Sequence, residues 1–169
     1  MINPRNEIFN HPLTKEWHSV IEKYAKLSKY KRALEIGTAS GLSAWTIAQN
    51  GEGEIVSVDI RNHAGAMTMA EEHGYADRIK FFHMSSKKFF SQNHHLFDLI
   101  IVDGGHWKKE VYEDALNGWD VLNSGGYMVF DDYNHPRIGK NVRAGVEMFV
   151  REKGARIQQI TNKAVTRKP

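Results

Sequence analysis

Two kinds of hydrophobic pattern alternate along the chain. Short apolar runs, rich in β-branched residues and of strand length, fall at Ala33–Ile36, Glu54–Val58, Ile79–Phe82, Phe97–Val102 and Tyr127–Phe130. Between them apolar residues recur at helical spacing, over Leu42–Gln49, Ala64–His73, Ser86–Gln92 and Lys108–Val121. Strands alternating with helices predict an α/β fold whose central sheet is mostly parallel and covered on both faces. The run Phe97-Asp-Leu-Ile-Ile-Val102 is nearly continuous in apolar residues, as a central strand buried on both faces requires.

The two ends read differently. Leu13–Tyr30 carries Trp17, Val20, Ile21, Tyr24 and Leu27 on one stripe, predicting a covering helix with Thr14 as its cap. Val142, Val146, Phe149 and Val150 predict a further helix, closed by Gly154. Ala155–Thr161 and Ala164–Thr166, joined by Asn162-Lys163, read as a hairpin with one strand antiparallel at the sheet edge. The sheet then has about seven strands. No linker, repeat or low-complexity tract interrupts the pattern. The expectation is one domain over residues 1–169, with 1–30 as a covering segment and 31–169 as the α/β core.

Composition narrows the chemistry. None of the 169 residues is cysteine, which excludes disulfides, thiolate metal sites and a cysteine nucleophile. No apolar run approaches the roughly 20 residues of a membrane span. The polar start, Met1 to Asn10, does not resemble a signal peptide, so a cytoplasmic protein is expected. Lys and Arg number 23 against 20 Asp and Glu, a net charge of +3. The excess is dispersed in small clusters, as on a solvated face, and argues against a nucleic-acid partner.

Two sets of residues carry candidate chemistry. Leu34-Glu35-Ile36-Gly37-Thr38-Ala39-Ser40-Gly41 joins the first strand to the following helix. In open α/β sheets ligands bind at such turns, beyond the carboxyl ends of strands. Gly37 allows close approach of a ligand, and Gly41 a tight entry into the helix. Asp59 ends the next strand, where a carboxylate can accept from two ribose hydroxyls. A dinucleotide fingerprint fails, because Ala39 and Leu42 stand where its second and third glycines belong. The loop has no lysine for a phosphate. What remains suits a nucleoside without a pyrophosphate, such as S-adenosylmethionine.

The second set is Asp103-Gly104-Gly105-His106 and Asp131-Asp132-Tyr133, each directly after a predicted strand. On neighbouring strands these ends would lie about 4.8 Å apart. Three carboxylates so close repel one another unless a cation sits among them. Oxygen donors without cysteine favour Mg²⁺ or a similar divalent ion. Capping of a turn and a helix is the competing role for these aspartates. His106 is the candidate base, since imidazole accepts a proton near neutral pH.

At these residues the chain resembles the class I S-adenosylmethionine-dependent methyltransferases, with a Rossmann-like fold. Ala33–Ala48 is similar to their first motif. Val102-Asp103-Gly104-Gly105-His106, Val111, Asp114, Ala115, Trp119, Gly125-Gly126 and Asp131-Asp132-Tyr133 resemble the metal-dependent small-molecule O-methyltransferases of the macrocin and mycinamicin type. The resemblance implies that Glu35, Gly37, Thr38, Ala39 and Gly41 form the cofactor turn. It implies Ser43 at the methionine carboxylate, Asp59 at the ribose, and Ser85 and Ser86 near the adenine. Asp103 would touch both cofactor and metal, Asp131 and Asp132 would complete the metal site, and His106 would be the base. The acceptor implied is a small molecule with a hydroxyl group, such as a sugar or catechol-like diol. Only about 30 residues precede the first strand, fewer than in such relatives. The acceptor pocket is then open, or completed by a second subunit of a homo-oligomer. Trp107 and Tyr133 are candidates for its walls. A metal-independent methyltransferase and a non-catalytic nucleoside-binding subunit are the alternatives.

Overall fold

The computed structural model describes the backbone from Pro12 onward and side chains from His18 onward. The polar segment before Pro12, and the Trp17 side chain, lie outside the described residues. Seven strands form one sheet: β1 Arg32–Ile36, β2 Glu54–Asp59, β3 Ile79–His83, β4 Phe97–Val102, β5 Leu122–Phe130, β6 Ile157–Ile160 and β7 Lys163–Arg167. Among the described residues six helices accompany them: α1 Pro12–Ser28, α2 Leu42–Gln49, α3 Ala64–Glu72, α4 Ser86–Gln92, α5 Lys108–Val121 and α6 Gly139–Lys153. Three predicted helices, α2, α4 and α5, have the bounds read from the sequence. Helix α1 starts at Pro12, so Thr14 lies within it rather than capping it.

The strand order is β3-β2-β1-β4-β5-β7-β6. Neighbours are parallel from β3 through β5, and β7 runs antiparallel to both β5 and β6. The antiparallel pairs thus lie at one edge of a mostly parallel sheet. The hairpin inserts its second strand against β5 and leaves β6 at the edge.

Alternation along the strands divides the core between the two faces. Leu34, Ile36, Val56, Val58, Met128 and Phe130 pack with Phe89 of α4, Trp119 of α5 and Phe149 of α6. Ala33, Ile55, Leu99, Ile101 and Val129 pack with Ile21 of α1, Ile47 of α2 and Ala70 of α3. Trp119 meets Phe149 edge-on, with centroids 5.3 Å apart. Arg78 ties the turns below α2, donating to the carbonyls of Ala48, Gly51 and Gly53. Gly154 closes α6 at φ 62, the left-handed cap that glycine provides without strain. Among the described residues no helix is long and apolar enough to cross a membrane.

Candidate functional site

Register brings the two candidate sets together. Ile36 pairs with Val58 and with Val102, and Val102 pairs with Phe130. The residues that follow, Gly37, Asp59, Asp103 and Asp131, therefore share one rim of the sheet. The ladder continues one step past the strands: the N–H groups of Gly37, Asp103 and Asp131 donate to Val58, Ile36 and Val102 at 2.8, 2.8 and 3.0 Å. The chain order reverses between β1 and β4, the switch point at which open α/β sheets bind ligands. A cleft of about 1000 Å³ opens there. Gly37, Ala39, Asp59, Ser85, Ser86, Asp103, His106 and Asp132 line it.

Gly37 is demanded by the protein itself. Its φ is +99, and a Cβ there would fall 2.0 Å from the Asp103 carbonyl oxygen. The turn thus packs directly on the end of β4. Gly41, at φ +81, allows α2 to approach α3, since a Cβ would meet Ala66 at 2.7 Å. Asp59 organises the loop between them. Its Oδ2 accepts from the Thr38 N–H at 2.9 Å and its Oδ1 from the Arg61 N–H at 2.8 Å. His63 Nε2 lies 3.0 Å from Oδ2. Those N–H groups and His63, acting against partial burial, hold the Asp59 carboxyl below its ordinary range.

Three residues expected at the cofactor lie behind the turn. Glu35, Thr38 and Ser43 are buried, and none of them lines the cleft. Glu35 alternates onto the α1–α3 face, opposite Ser57. The Ser57 hydroxyl donates to Glu35 Oε2 at 2.5 Å and sits 2.6 Å from the Thr38 hydroxyl. Burial raises the Glu35 carboxyl to about 8, against the opposing pull of Ser57 and the Ala44 N–H. Glu35 is thus a neutral brace beneath the turn. Gly41 supports the turn without lining the cleft. Ser85 caps α4 by accepting from the Lys88 N–H at 3.2 Å, although it also faces the cleft.

At the other half of the rim, Asp103, His106 and Asp132 place one donor atom each within 4.8 Å of one another. Gly104 and Gly105 carry the chain from Asp103 to His106. His106 Nε2 lies 3.1 Å from Asp132 Oδ2. Asp132 has the left-handed φ of 53, which aspartate tolerates better than most residues. Burial, then repulsion by neighbouring aspartates, raises Asp103 well above the usual carboxylate range. Burial and Asp131 raise Asp132 in the same way, with His106 opposing. Two carboxylates and an imidazole within one ion's reach suit a divalent cation.

Asp131 departs from the expected metal set and does not line the cleft. Its Oδ2 lies 2.5 Å from Lys163 Nζ, and its Oδ1 accepts from the Asp132 N–H at 2.7 Å. The cation that the crowded carboxylates require is thus partly supplied by the chain. Lysine is almost never fully buried unless paired, so Lys163 in a hairpin turn gave no signal in the sequence. His18 and His63 likewise carried none. Asp114, noted only as part of the resemblance, lines the cleft beside Ser86 and is raised to about 6, mainly by burial. Tyr133 is buried under Arg143 rather than walling the cleft, while Trp107 is 70% exposed next to His106.

Residues 34–133 match the model of a methyltransferase domain. The chain is similar in structure to an O-methyltransferase from Bacillus cereus in complex with SAH, with TM-score 0.75 and 18% identity over 99% of this chain and 87% of that one. It is also similar to the N-methyltransferase NodS from Bradyrhizobium japonicum, with TM-score 0.71 and 19% identity over 95% of this chain and 99% of that one. An uncharacterized protein of Acanthamoeba polyphaga mimivirus is 27% identical over 69% of this chain. The aligned part spans 58% of that relative's length. The structural likenesses, at such identity, establish the shared fold. The family match runs from β1 to the turn after β5 and takes in the whole rim, and the chain belongs to this family of methyltransferase domains.

Proposed function

We propose that this chain transfers a methyl group from S-adenosylmethionine to a hydroxyl oxygen of a small molecule. The observation that carries the reading is the single cleft that joins the glycine turn to the His106–Asp132 pair. The SAH complex of the Bacillus cereus neighbour supports the cofactor. Asp59 would bind the ribose hydroxyls, exchanging its contact with His63 for them. Ser85, Ser86 and Asp114 would face the adenine end, and Asp103 the methionine end.

His106 supplies what an oxygen acceptor needs. Its Nε2 lies 3.1 Å from Asp132 Oδ2, and the imidazole would take the acceptor's proton. The deprotonated oxygen attacks the methyl carbon, the carbon–sulfur bond breaks, and the sulfonium electron pair returns to sulfur. Asp132 stabilises the imidazolium that results, a division of labour worth roughly 10²–10⁴-fold. The rest is alignment of oxygen, methyl and sulfur in the cleft. A divalent ion, held by Asp103 and Asp132, would lower the charge on the acceptor oxygen.

The test is calorimetric titration of S-adenosylhomocysteine, followed by turnover with sugars and catechols, with and without EDTA. Nucleoside binding together with hydroxyl methylation is expected. His106→Gln should lower kcat by about 10²-fold or more at unchanged nucleoside affinity. Failure to bind S-adenosylhomocysteine would overturn the proposal.

A further inference from the structure

We infer that the Lys163 ammonium is a built-in counter-cation of the acid rim, which keeps Asp131 from coordinating a divalent ion and thereby weakens ion binding at Asp103 and Asp132. The inference rests on the rim being the reaction site proposed above. Its test, however, does not read turnover.

The geometry is specific. Phe130 pairs with Ala164 across β5 and β7, which sets Lys163 beside Asp131. The Lys163 side chain is 2% exposed, and its Nζ lies 2.5 Å from Asp131 Oδ2. The remaining oxygen, Oδ1, holds the Asp132 N–H at 2.7 Å and faces the Asn162 amide at 3.5 Å. Asp131 is thus engaged at both oxygens by the protein. Nor is the ammonium's effect confined to Asp131, because its field also reaches Asp103 and Asp132. On the far side His18, from α1, is held towards neutrality by burial and by Lys163, and its Nδ1 is 3.0 Å from the Thr46 hydroxyl. His18 therefore does not compete as counter-ion.

The chemistry follows from desolvation. A buried ammonium cannot be left without its carboxylate, since an unpaired buried charge is among the most costly defects in a protein. A divalent ion that recruited Asp131 would strand Lys163 in this way. An ion that leaves Asp131 alone has fewer ligands and meets a fixed positive charge close by. In both cases affinity is lower than three free carboxylates would give. The acid rim can accordingly stay assembled without any metal ion.

Mn²⁺ binding to the full chain, followed by electron paramagnetic resonance, tests the inference. Lys163→Gln keeps a hydrogen-bond donor near Asp131 and removes the charge. It should raise Mn²⁺ affinity by about tenfold or more. Asp132→Asn in the same background should abolish the gain. The double variant Asp131→Asn/Lys163→Met deletes the pair without changing net charge, and should bind Mn²⁺ at least as tightly as the wild type. Unchanged or weaker binding in Lys163→Gln would overturn the inference. So would a double variant that binds more weakly than the wild type. S-adenosylhomocysteine binding, measured on every variant, reports folding. Its failure in the wild type would sink the proposed function, separately from the Mn²⁺ result.

Discussion

Glu35→Gln is the perturbation whose outcome follows most directly from the structure. Glu35 is fully buried on the α1–α3 face of the sheet and its carboxyl is raised from 4.5 to about 8. Below pH 4.5 the carboxyl is protonated in folded and unfolded chains alike, and the group contributes no pH dependence. Between pH 4.5 and about 8 the unfolded chain loses the proton and the folded chain keeps it. Stability therefore falls as pH rises through that window, and the loss is complete above the folded value. Each pH unit costs about 1.4 kcal/mol. From pH 5 to pH 7.5 the contribution of Glu35 is a loss of about 3 kcal/mol. Glutamine fills the same space and cannot titrate. Urea unfolding of both proteins at pH 5, 6, 7 and 7.5 gives the difference between them at each pH. Other titrating groups cancel in that difference, and so does any fixed cost of burying the amide. The wild type should lose stability relative to the variant by about 3 kcal/mol across the series. A difference that stays flat within about 0.5 kcal/mol, well under one pH unit's worth, would refute the neutral buried carboxyl.

Further outcomes follow from single contacts. Gly37→Ala should destabilise the fold by about 3 kcal/mol or more, since its Cβ meets the Asp103 carbonyl in a left-handed conformation; thermal unfolding checks this. Asp59→Asn should weaken S-adenosylhomocysteine binding about tenfold by calorimetry, with a loosened Thr38 turn contributing. Unchanged affinity would remove Asp59 from the ribose site. Arg78→Lys should cost about 2 kcal/mol in urea unfolding, because an ammonium cannot replace the fork that holds Ala48, Gly51 and Gly53.

The strand–helix alternation was readable because buried parallel strands leave continuous apolar runs, as Phe97–Val102 does. The hairpin was readable too, but not which of its strands would pair with β5. That depends on the apolar side of Ala164 and Val165, which both hairpin strands could have supplied by pattern alone. At the site, Gly37, Asp59, Asp103, His106 and Asp132 were legible because each follows a strand whose end the apolar run marks. Glu35 and Ser43 are buried and do not line the cleft, because proximity to a glycine turn in sequence does not say which way a side chain faces from a strand or a helix. Lys163 was invisible because its burial is conferred by Asp131, a partner brought near only by the antiparallel pairing.

That pairing also bears on how the protein survives partial opening. Tyr127-Met-Val-Phe130 is an apolar stretch whose outer flank is covered only by β7. If the hairpin peeled away, β5 would become a bare edge offering unpaired backbone groups to another chain, the usual start of aggregation. The hairpin is fastened at both ends. Lys163 binds Asp131 at one, and Lys168 Nζ donates to the Trp119 and Leu122 carbonyls at 2.6 and 2.8 Å at the other. The clasp at the acid rim is thus also a guard on the sheet's most adhesive strand, and loosening it to admit a metal ion would expose the protein to self-association.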